Sequence, residues 1–461
     1  MGIQFGIQKA SKKIISENPI LKEGAKNLKA NVTNIGAVTE IKNGNNTLTL
    51  VVAKNPNTQK VRVYSFDSAN QIGEGAQGRV VMAKNVDSTD VVAIKIQQPH
   101  GMNFEDDLHR ERQNLFIAKK LLGLAQDNTK NQYTLMEYCE GENLLEELYE
   151  MDRNKDKESI GRFKYKKQMN LIKRFSLILS GMNEIIDLHE NAKLAHRDIK
   201  SDNLVCSKNF NYYTLKLIDL GTAIDPHSKD EREQQDLGQF VGTFGYIAPE
   251  IHQREKYCYQ SDFWSLGIVF AEILTDENFQ AKLKMFNQDN QRSNRLVHPT
   301  FNDIINMMPD VLIVDLKGQT LNQNILDTAA NINRLAKEGD VASIHELRKL
   351  AQYIIIQMTE ESPEKRPTLS QFKKIEFIFR EALINVKMSI FKSIIAEKYQ
   401  RNLDGYEENN NPLPIIVTPV PPPILNALAL QQQQPPIQQQ DDLNEPTATT
   451  TTSTRLRSNA F

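Results

Sequence analysis

Hydrophobic and polar positions change period along the chain. From Thr47 to Phe66 they alternate in two runs, TLTLVVA and VRVYSF, and the intervening Asn55-Pro56-Asn57-Thr58 carries turn chemistry, so the stretch reads as a β-hairpin. β-forming residues dominate to about Tyr138. Helical spacing then takes over at 168–190, 261–275, 343–358 and 369–399. The pattern predicts an α+β chain, a small β lobe followed by a larger helical lobe. Residues 1–46 are polar, with a weak helical pattern around Ile14, Ile15 and Leu21, and no chemistry is assigned to them. After Asp404 the composition turns to Asn, Pro and Gln, with Pro421-Pro422-Pro423, Gln431–Gln434, Gln438–Gln440 and Thr449–Thr452. Such a segment buries too little apolar surface to offset its ordering entropy, so 404–461 is expected to be a disordered tail.

Composition adds limits rather than a function. A chain of 461 residues is too long for one ordinary core, which agrees with two lobes. The net charge of −2 gives no bias towards nucleic acid or anionic membranes, so no nucleic-acid partner is expected. Cys139, Cys206 and Cys258 form no short-spaced pair, which suggests neither a disulfide framework nor a zinc site and fits a reducing compartment. No apolar run approaches the ~20 residues needed to span a bilayer, and a soluble, cytoplasmic protein is the expectation. The start Met1-Gly2-Ile3-Gln4-Phe5-Gly6 has glycine where a myristoylation signal wants serine or threonine, so an unmodified N-terminus is preferred. Pro419-Val420-Pro421-Pro422 offers a polyproline helix to an SH3 or WW partner, against the plainer reading of a passive tail.

Three clusters carry candidate chemistry. Ile72-Gly73-Glu74-Gly75-Ala76-Gln77-Gly78-Arg79-Val80 follows a predicted strand, and glycines at these positions let backbone approach phosphate oxygens closely. Many such patterns are ordinary turns. A dinucleotide-binding reading needs a helix after the third glycine, whereas Val80, Val81 and Met82 continue as strand. Next, Val91-Val92-Ala93-Ile94-Lys95-Ile96 sets a lysine in an apolar strand, either as an edge charge or as an anion ligand. Third, His196-Arg197-Asp198-Ile199-Lys200-Ser201-Asp202-Asn203 follows a helix ending near His189, and Asp219-Leu220-Gly221 follows the apolar strand Leu215–Ile218. A chance H-R-D is common in long sequences, but lysine and asparagine at these offsets make it far rarer.

Taken in order, these motifs resemble those of the eukaryotic-type Ser/Thr protein kinases, over roughly residues 67–383. The resemblance implies a bilobal protein-kinase-like fold with a small antiparallel β N-lobe (67–138) and a larger helical C-lobe (139–383), preceded by the 47–66 hairpin and followed by a helical extension, 384–403. It implies ATP and Mg²⁺ as cofactors and protein substrates as partners. The glycine-rich loop would cover the phosphates, Lys95 would contact the α and β phosphates, and Glu111 would pair with Lys95. Tyr133–Cys139 looks like the hinge, with Met136 as gatekeeper and backbone groups of Glu137 and Cys139 facing adenine. Asp198 would accept the hydroxyl proton, Lys200 would neutralise developing charge, and Asn203 and Asp219 would bind Mg²⁺. Gly242–Glu250 resembles the end of the activation segment, Ser261–Gly267 the start of the following helix, and Arg366 the arginine that pairs with Glu250.

The D-L-G leucine departs from the family's phenylalanine but remains apolar. The stretches 151–167 and 276–342 depart further and are expected to be surface loops. Lys200 with Thr243 favours serine and threonine as acceptors. Tyrosine or dual specificity, a pseudokinase scaffold, and a regulatory kinase domain serving the tail are the alternatives, and a bacterial effector secreted into a host cytoplasm would look the same. Where many relatives carry a phosphorylated residue this chain has Gln239, and Lys229–Asp236 holds four carboxylates and no hydroxyl. Asp236 or Glu233 is therefore expected to pair with Arg197. The alternative is that the acids are solvated and backbone carbonyls satisfy Arg197.

Overall fold

A computed structural model of the chain describes residues 34–43, 46–75, 78–152, 155, 159–166, 169–209, 212–291, 298–316 and 318–407. The N-terminal helical pattern, the lipidation motif, Ala76, Gln77 and the Pro/Gln-rich tail lie outside them. The described residues up to Glu397 belong to one compact unit, and those from Lys398 to Glu407 to a second.

The smaller lobe is built from strands β1 (Val38–Asn43), β2 (Asn46–Lys54), β3 (Val61–Asp67), β4 (Gln71–Gly75), β5 (Gly78–Asn85), β6 (Val91–Gln97), β7 (Leu121–Gln126) and β8 (Gln132–Glu137), with helix α1 (Phe104–Ile117) between β6 and β7. The sheet order is β1-β2-β3-β5-β6-β8-β7, with β4 paired to the other end of β5, and all these pairings are antiparallel. Strand β1 lies within the segment read as a plain polar extension. Its alternation is too short and too polar to stand out, and it pairs because β2 offers an edge.

The two ends of this sheet meet. Just before β1, Ala37 forms a parallel bridge with Gln126 of β7, and the Gly36 N–H donates to Val52 O at 2.7 Å. Closure needs close backbone approach at Gly123, where a Cβ would lie 2.6 Å from that of Ala53. Val51, Ala53, Tyr64 and Phe66 of β2 and β3 consequently share one core with Val81, Ile94, Ala125 and Leu135. Closing a sheet removes its exposed edges.

The larger lobe begins with β9 (Glu142–Asn143) and α2 (Leu144–Leu148), then β10 (Tyr149–Met151) pairs with β11 (Phe163–Tyr165). Helix α3 (Leu171–Asp187) precedes the catalytic-loop motif, and β12 (Leu204–Asn209) and β13 (Tyr212–Leu217) form a hairpin between that motif and Asp219-Leu220-Gly221. There follow α4 (Glu231–Asp236), α5 (Pro249–His252), α6 (Tyr259–Leu274), α7 (Phe279–Gln291), α8 (Phe301–Met307), α9 (Pro309–Leu312), α10 (Leu321–Glu338), α11 (Ala342–Met358) and α12 (Leu369–Glu407). Helix α6 is apolar around most of its circumference and is buried from Ser261 to Leu274, as befits the central rod of a core.

The segment 276–342 is not the run of surface loops its departure from the family suggested. It forms α7 to α10, whose Phe279, Ile304, Val311, Ile325 and Ile332 are buried in the main core. Nor is 151–167 loop throughout, since β10 and β11 make a short ribbon. Helix α12 continues to Glu407, past the position assigned to the start of the tail. No described helix is long and apolar enough to cross a membrane.

Candidate active site

The glycine-rich motif forms the β4–β5 hairpin, with Gly73 opposite Val80, Glu74 opposite Arg79 and Gly75 opposite Gly78. Ile72 is exposed on β4. Gly78 has φ +133°, and a Cβ there would come within 2.2 Å of Ile96 O, so the fold itself demands glycine. Gly75 differs: a Cβ there would meet no protein atom within 4 Å, so packing gives no reason for it.

One strand away, β6 carries Lys95 directly opposite Val80. Its burial would be costly without an anion. Glu111, on the face of α1 that packs towards the sheet, supplies one, with Lys95 Nζ 2.7 Å from its Oε1 and both residues less than a tenth exposed. Gln97 Nε2 reaches the other carboxylate oxygen at 3.4 Å. Helix α1 is tied to the other lobe as well: Asn114 Nδ2 donates to Leu220 O at 2.9 Å and to Ala223 O at 2.8 Å, on either side of Gly221. Periodicity places Asn114 on the Glu111 face but carries no sign of this role.

At the hinge, β8 ends at Glu137, whose N–H donates to Lys120 O at 3.2 Å, while Met136 packs against the core of the larger lobe. Burial, reinforced by the Glu137 charge, pushes the Cys139 thiol up to about 11. It stays protonated at neutral pH and is no nucleophile.

The catalytic-loop motif is held from below by α6. Asp262 accepts the backbone N–H groups of His196 at 2.6 Å and Arg197 at 3.0 Å, and lies 2.8 Å from the His189 ring. This fixes Arg197 at φ +68°, a conformation a non-glycine residue adopts only when its surroundings insist. Asp198 then meets three partners. Its Oδ1 accepts from the Thr243 hydroxyl at 2.6 Å, and its Oδ2 lies 3.0 Å from Lys200 Nζ and 3.1 Å from Asn203 Nδ2. Lys200 also donates to the Thr243 hydroxyl at 2.8 Å. Asn203 and the D-L-G motif are neighbours, because Ile218 N–H donates to Asn203 O at 3.0 Å and Asp219 follows at once. Asp219 has φ +62°, and its Oδ1 accepts from Gly221 N–H at 3.3 Å.

Glu250 and Arg366, far apart in sequence, form a buried bidentate pair at 2.7 and 2.8 Å beneath this region. The Asp262 contacts went unassigned in the sequence, where the residue stood only as part of a motif. One expectation is corrected. Neither Glu233 nor Asp236 gives Arg197 a carboxylate: Arg197 donates Nε to Thr222 O at 2.6 Å and Nη1 to the backbone carbonyl of Asp236 at 2.7 Å. Its position deep in the lobe leaves carbonyls as the nearest acceptors, and the Asp236 carboxylate turns instead to Arg110 of α1, 2.6 Å away.

Comparison with known proteins follows the same lines. Residues 66–378 match the protein kinase domain. The chain is 28% identical over 318 residues to a probable leucine-rich repeat receptor-like protein kinase of Arabidopsis thaliana, covering 67% of this chain and 25% of that one. It is 29% identical over 229 residues to the proline-rich receptor-like protein kinase PERK15 of the same plant, covering 49% and 42%. With the probable serine/threonine-protein kinase PBL23, also from Arabidopsis thaliana, it shares 28% over 223 residues, 47% of this chain and 53% of the other. The chain thus spans between a quarter and about half the length of these relatives. Since the matched region takes in both lobes and every group in the cleft between them, the chain belongs to the protein kinase family.

Proposed function

We propose that this chain transfers the γ-phosphoryl group of ATP to serine and threonine hydroxyls of protein substrates. The observation that carries this reading is the environment of Asp198. Its Oδ1 already accepts a hydroxyl, that of Thr243, at 2.6 Å, and Lys200 and Asn203 hold its other oxygen. A substrate alcohol in the place of the Thr243 hydroxyl would have a fixed proton acceptor within hydrogen-bond reach.

Phosphoryl transfer needs little covalent help from a protein, so the other groups act by position and charge. Lys200 is set to neutralise charge that develops on the transferring oxygens. Lys95, held by Glu111, is suited to the α and β phosphates under the glycine-rich hairpin, and backbone groups of Glu137 and Cys139 border the adenine position. Asn203 gives its amide N–H to Asp198, through the backbone O at 2.9 Å and Oδ2 at 3.1 Å, which leaves its Oδ1 as the atom for a metal. That oxygen and the Asp219 carboxylate are the hard donors Mg²⁺ prefers. The bound ion supplies charge neutralisation at the phosphates.

The contact between Lys200 and Thr243 favours serine and threonine over tyrosine, as does the serine/threonine-protein kinase among the relatives. Incubation of the full chain with Mg-ATP and a peptide array bearing Ser, Thr or Tyr acceptors tests the reading. Phosphoserine and phosphothreonine are expected. Exclusive phosphotyrosine would overturn the specificity, and the absence of any turnover would overturn the reaction.

A further inference from the structure

Two arginines, one from each lobe, hold a single residue of the activation segment. Asp236 ends the six-residue helix α4, which Asp230 caps by accepting the N–H groups of Arg232 at 2.9 Å and Glu233 at 3.2 Å. From the larger lobe, Arg197 donates Nη1 to the backbone carbonyl of Asp236 at 2.7 Å. From the smaller lobe, Arg110 donates Nη1 to its Oδ2 at 2.6 Å and pairs through Nη2 with Asp107. The remaining carboxylate oxygen, Oδ1, accepts from Gln239 Nε2 at 2.6 Å.

The neighbours of those arginines give the clasp its meaning. Arg197 precedes Asp198. Arg110 precedes Glu111 on α1, so the two side chains leave the helix about 100° apart, one towards the activation segment and the other towards β6 and Lys95. A rigid helix pinned through Arg110 cannot carry Glu111 away from Lys95 without breaking the Asp236 contact. The Arg110 and Asp236 side chains are 30% and 24% exposed, which shields the pair more than an open surface bridge.

We propose that Asp236 and Arg110 are positioning residues, a permanent clasp that holds α1 in the geometry of the Lys95–Glu111 pair without covalent modification of the activation segment. Both Asp236 oxygens are occupied by donors of this chain, and the Thr222 and Thr243 hydroxyls are engaged elsewhere, with His196 O at 2.9 Å and Asp198 Oδ1 at 2.6 Å. A carboxylate brings one negative charge where a phosphate brings about 1.5 to 2, so the clasp is weaker than a phosphate bridge but always present.

The activity arm of the test rests on the kinase reading, and a structural arm does not. Full-length wild type, Asp236→Asn, Arg110→Gln and the double variant are treated with phosphatase. Peptide phosphorylation, amide hydrogen exchange of residues 104–117 and the thermal midpoint are then measured. Wild type should keep its rate after dephosphorylation. Each single variant should lose roughly five- to thirtyfold in kcat/KM and exchange faster in α1, and the double variant should be no worse than the poorer single, as expected of coupled partners. Asp236→Glu should recover most of the rate.

Wild-type exchange in Asp236→Asn would overturn the proposal, and so would loss of wild-type activity on dephosphorylation. A rate loss without faster exchange in α1 would also overturn it, because the clasp acts only through that helix. Should Asp236→Asn fail to fold, Arg110→Gln runs the same arms from the other lobe. Should wild type show no turnover, that failure belongs to the proposed function alone, and the exchange of α1 still decides the clasp.

Discussion

Asp198 has each side-chain oxygen engaged by a different kind of group, a hydroxyl on one side and an ammonium with an amide on the other. Replacing it by asparagine keeps the shape and removes the proton acceptor, while Lys95→Met removes the cation that Glu111 holds. Each substitution should lower kcat by roughly 10² to 10⁴, with the thermal midpoint near that of wild type for Asp198→Asn. Near-normal phosphorylation by either variant would defeat the assignment. Glu272 offers a test independent of turnover. Burial pushes its pKa up to about 7 from an ordinary 4.5, although Gln280 and Tyr246 donate to it at 2.8 Å each. An acid whose pKa is raised by folding holds its proton more tightly in the folded chain. Its contribution therefore favours folding fully below about 4.5, falls as the pH rises towards 7, and is constant above that. The whole step is on the order of 3 kcal/mol. Glu272→Gln should lack it, so the midpoint of this variant relative to wild type should rise between pH 5 and pH 8. Parallel curves for the two proteins would show that Glu272 does not titrate in this window.

At the scale of elements, the strands that precede the glycine-rich hairpin are part of the smaller lobe's core rather than an ornament on it. Val51 and Ala53 of β2, with Tyr64 and Phe66 of β3, share that core with Val81 of β5 and Ile94 of β6. Their backbone also brings the first and last strands of the sheet together through Ala37 and Gln126. Deleting residues 34–66 should uncover this apolar surface and open the sheet, lowering the thermal midpoint and exposing dye-binding hydrophobic area. A truncated chain that melts like the full one would show that the lobe stands without them.

Across the whole molecule, α6 works as a post to which the catalytic loop and the end of the activation segment are both fastened. Asp262 takes two backbone N–H groups of the loop and lies against His189, while Ser261 donates to Glu250 at 2.8 Å. In Asp262→Asn the carboxylate becomes an amide with only one acceptor oxygen, so at least one buried N–H group loses its partner. The cost should be about 1–3 kcal/mol of stability, and kcat should fall with it because Arg197 and Asp198 are no longer held. A variant that keeps both midpoint and kcat would mean that the loop is fixed by other contacts.

What the sequence determined by itself was local or carried by order: the hairpin pattern of 47–66, the helical periods, and motifs whose sequence from Gly73 to Arg366 is that of a protein kinase. These survive in one dimension because strand alternation, turn chemistry and the offsets within a catalytic loop are set by neighbours a few residues apart. Only the tertiary structure decided that 276–342 packs its helices into the main core: Ile325, Ala329, Ile332 and Leu335 keep helical spacing, but spacing does not say which surface that face covers. It alone closed the smaller lobe's sheet, because an isolated bridge between Ala37 and Gln126 leaves no mark on composition. The same holds for the arginines. The acids of 229–236 were legible as charge, but which one meets which cation depends on the fold bringing Asp236 to Arg110, 126 positions earlier in the chain, and on burial that hands Arg197 to carbonyls.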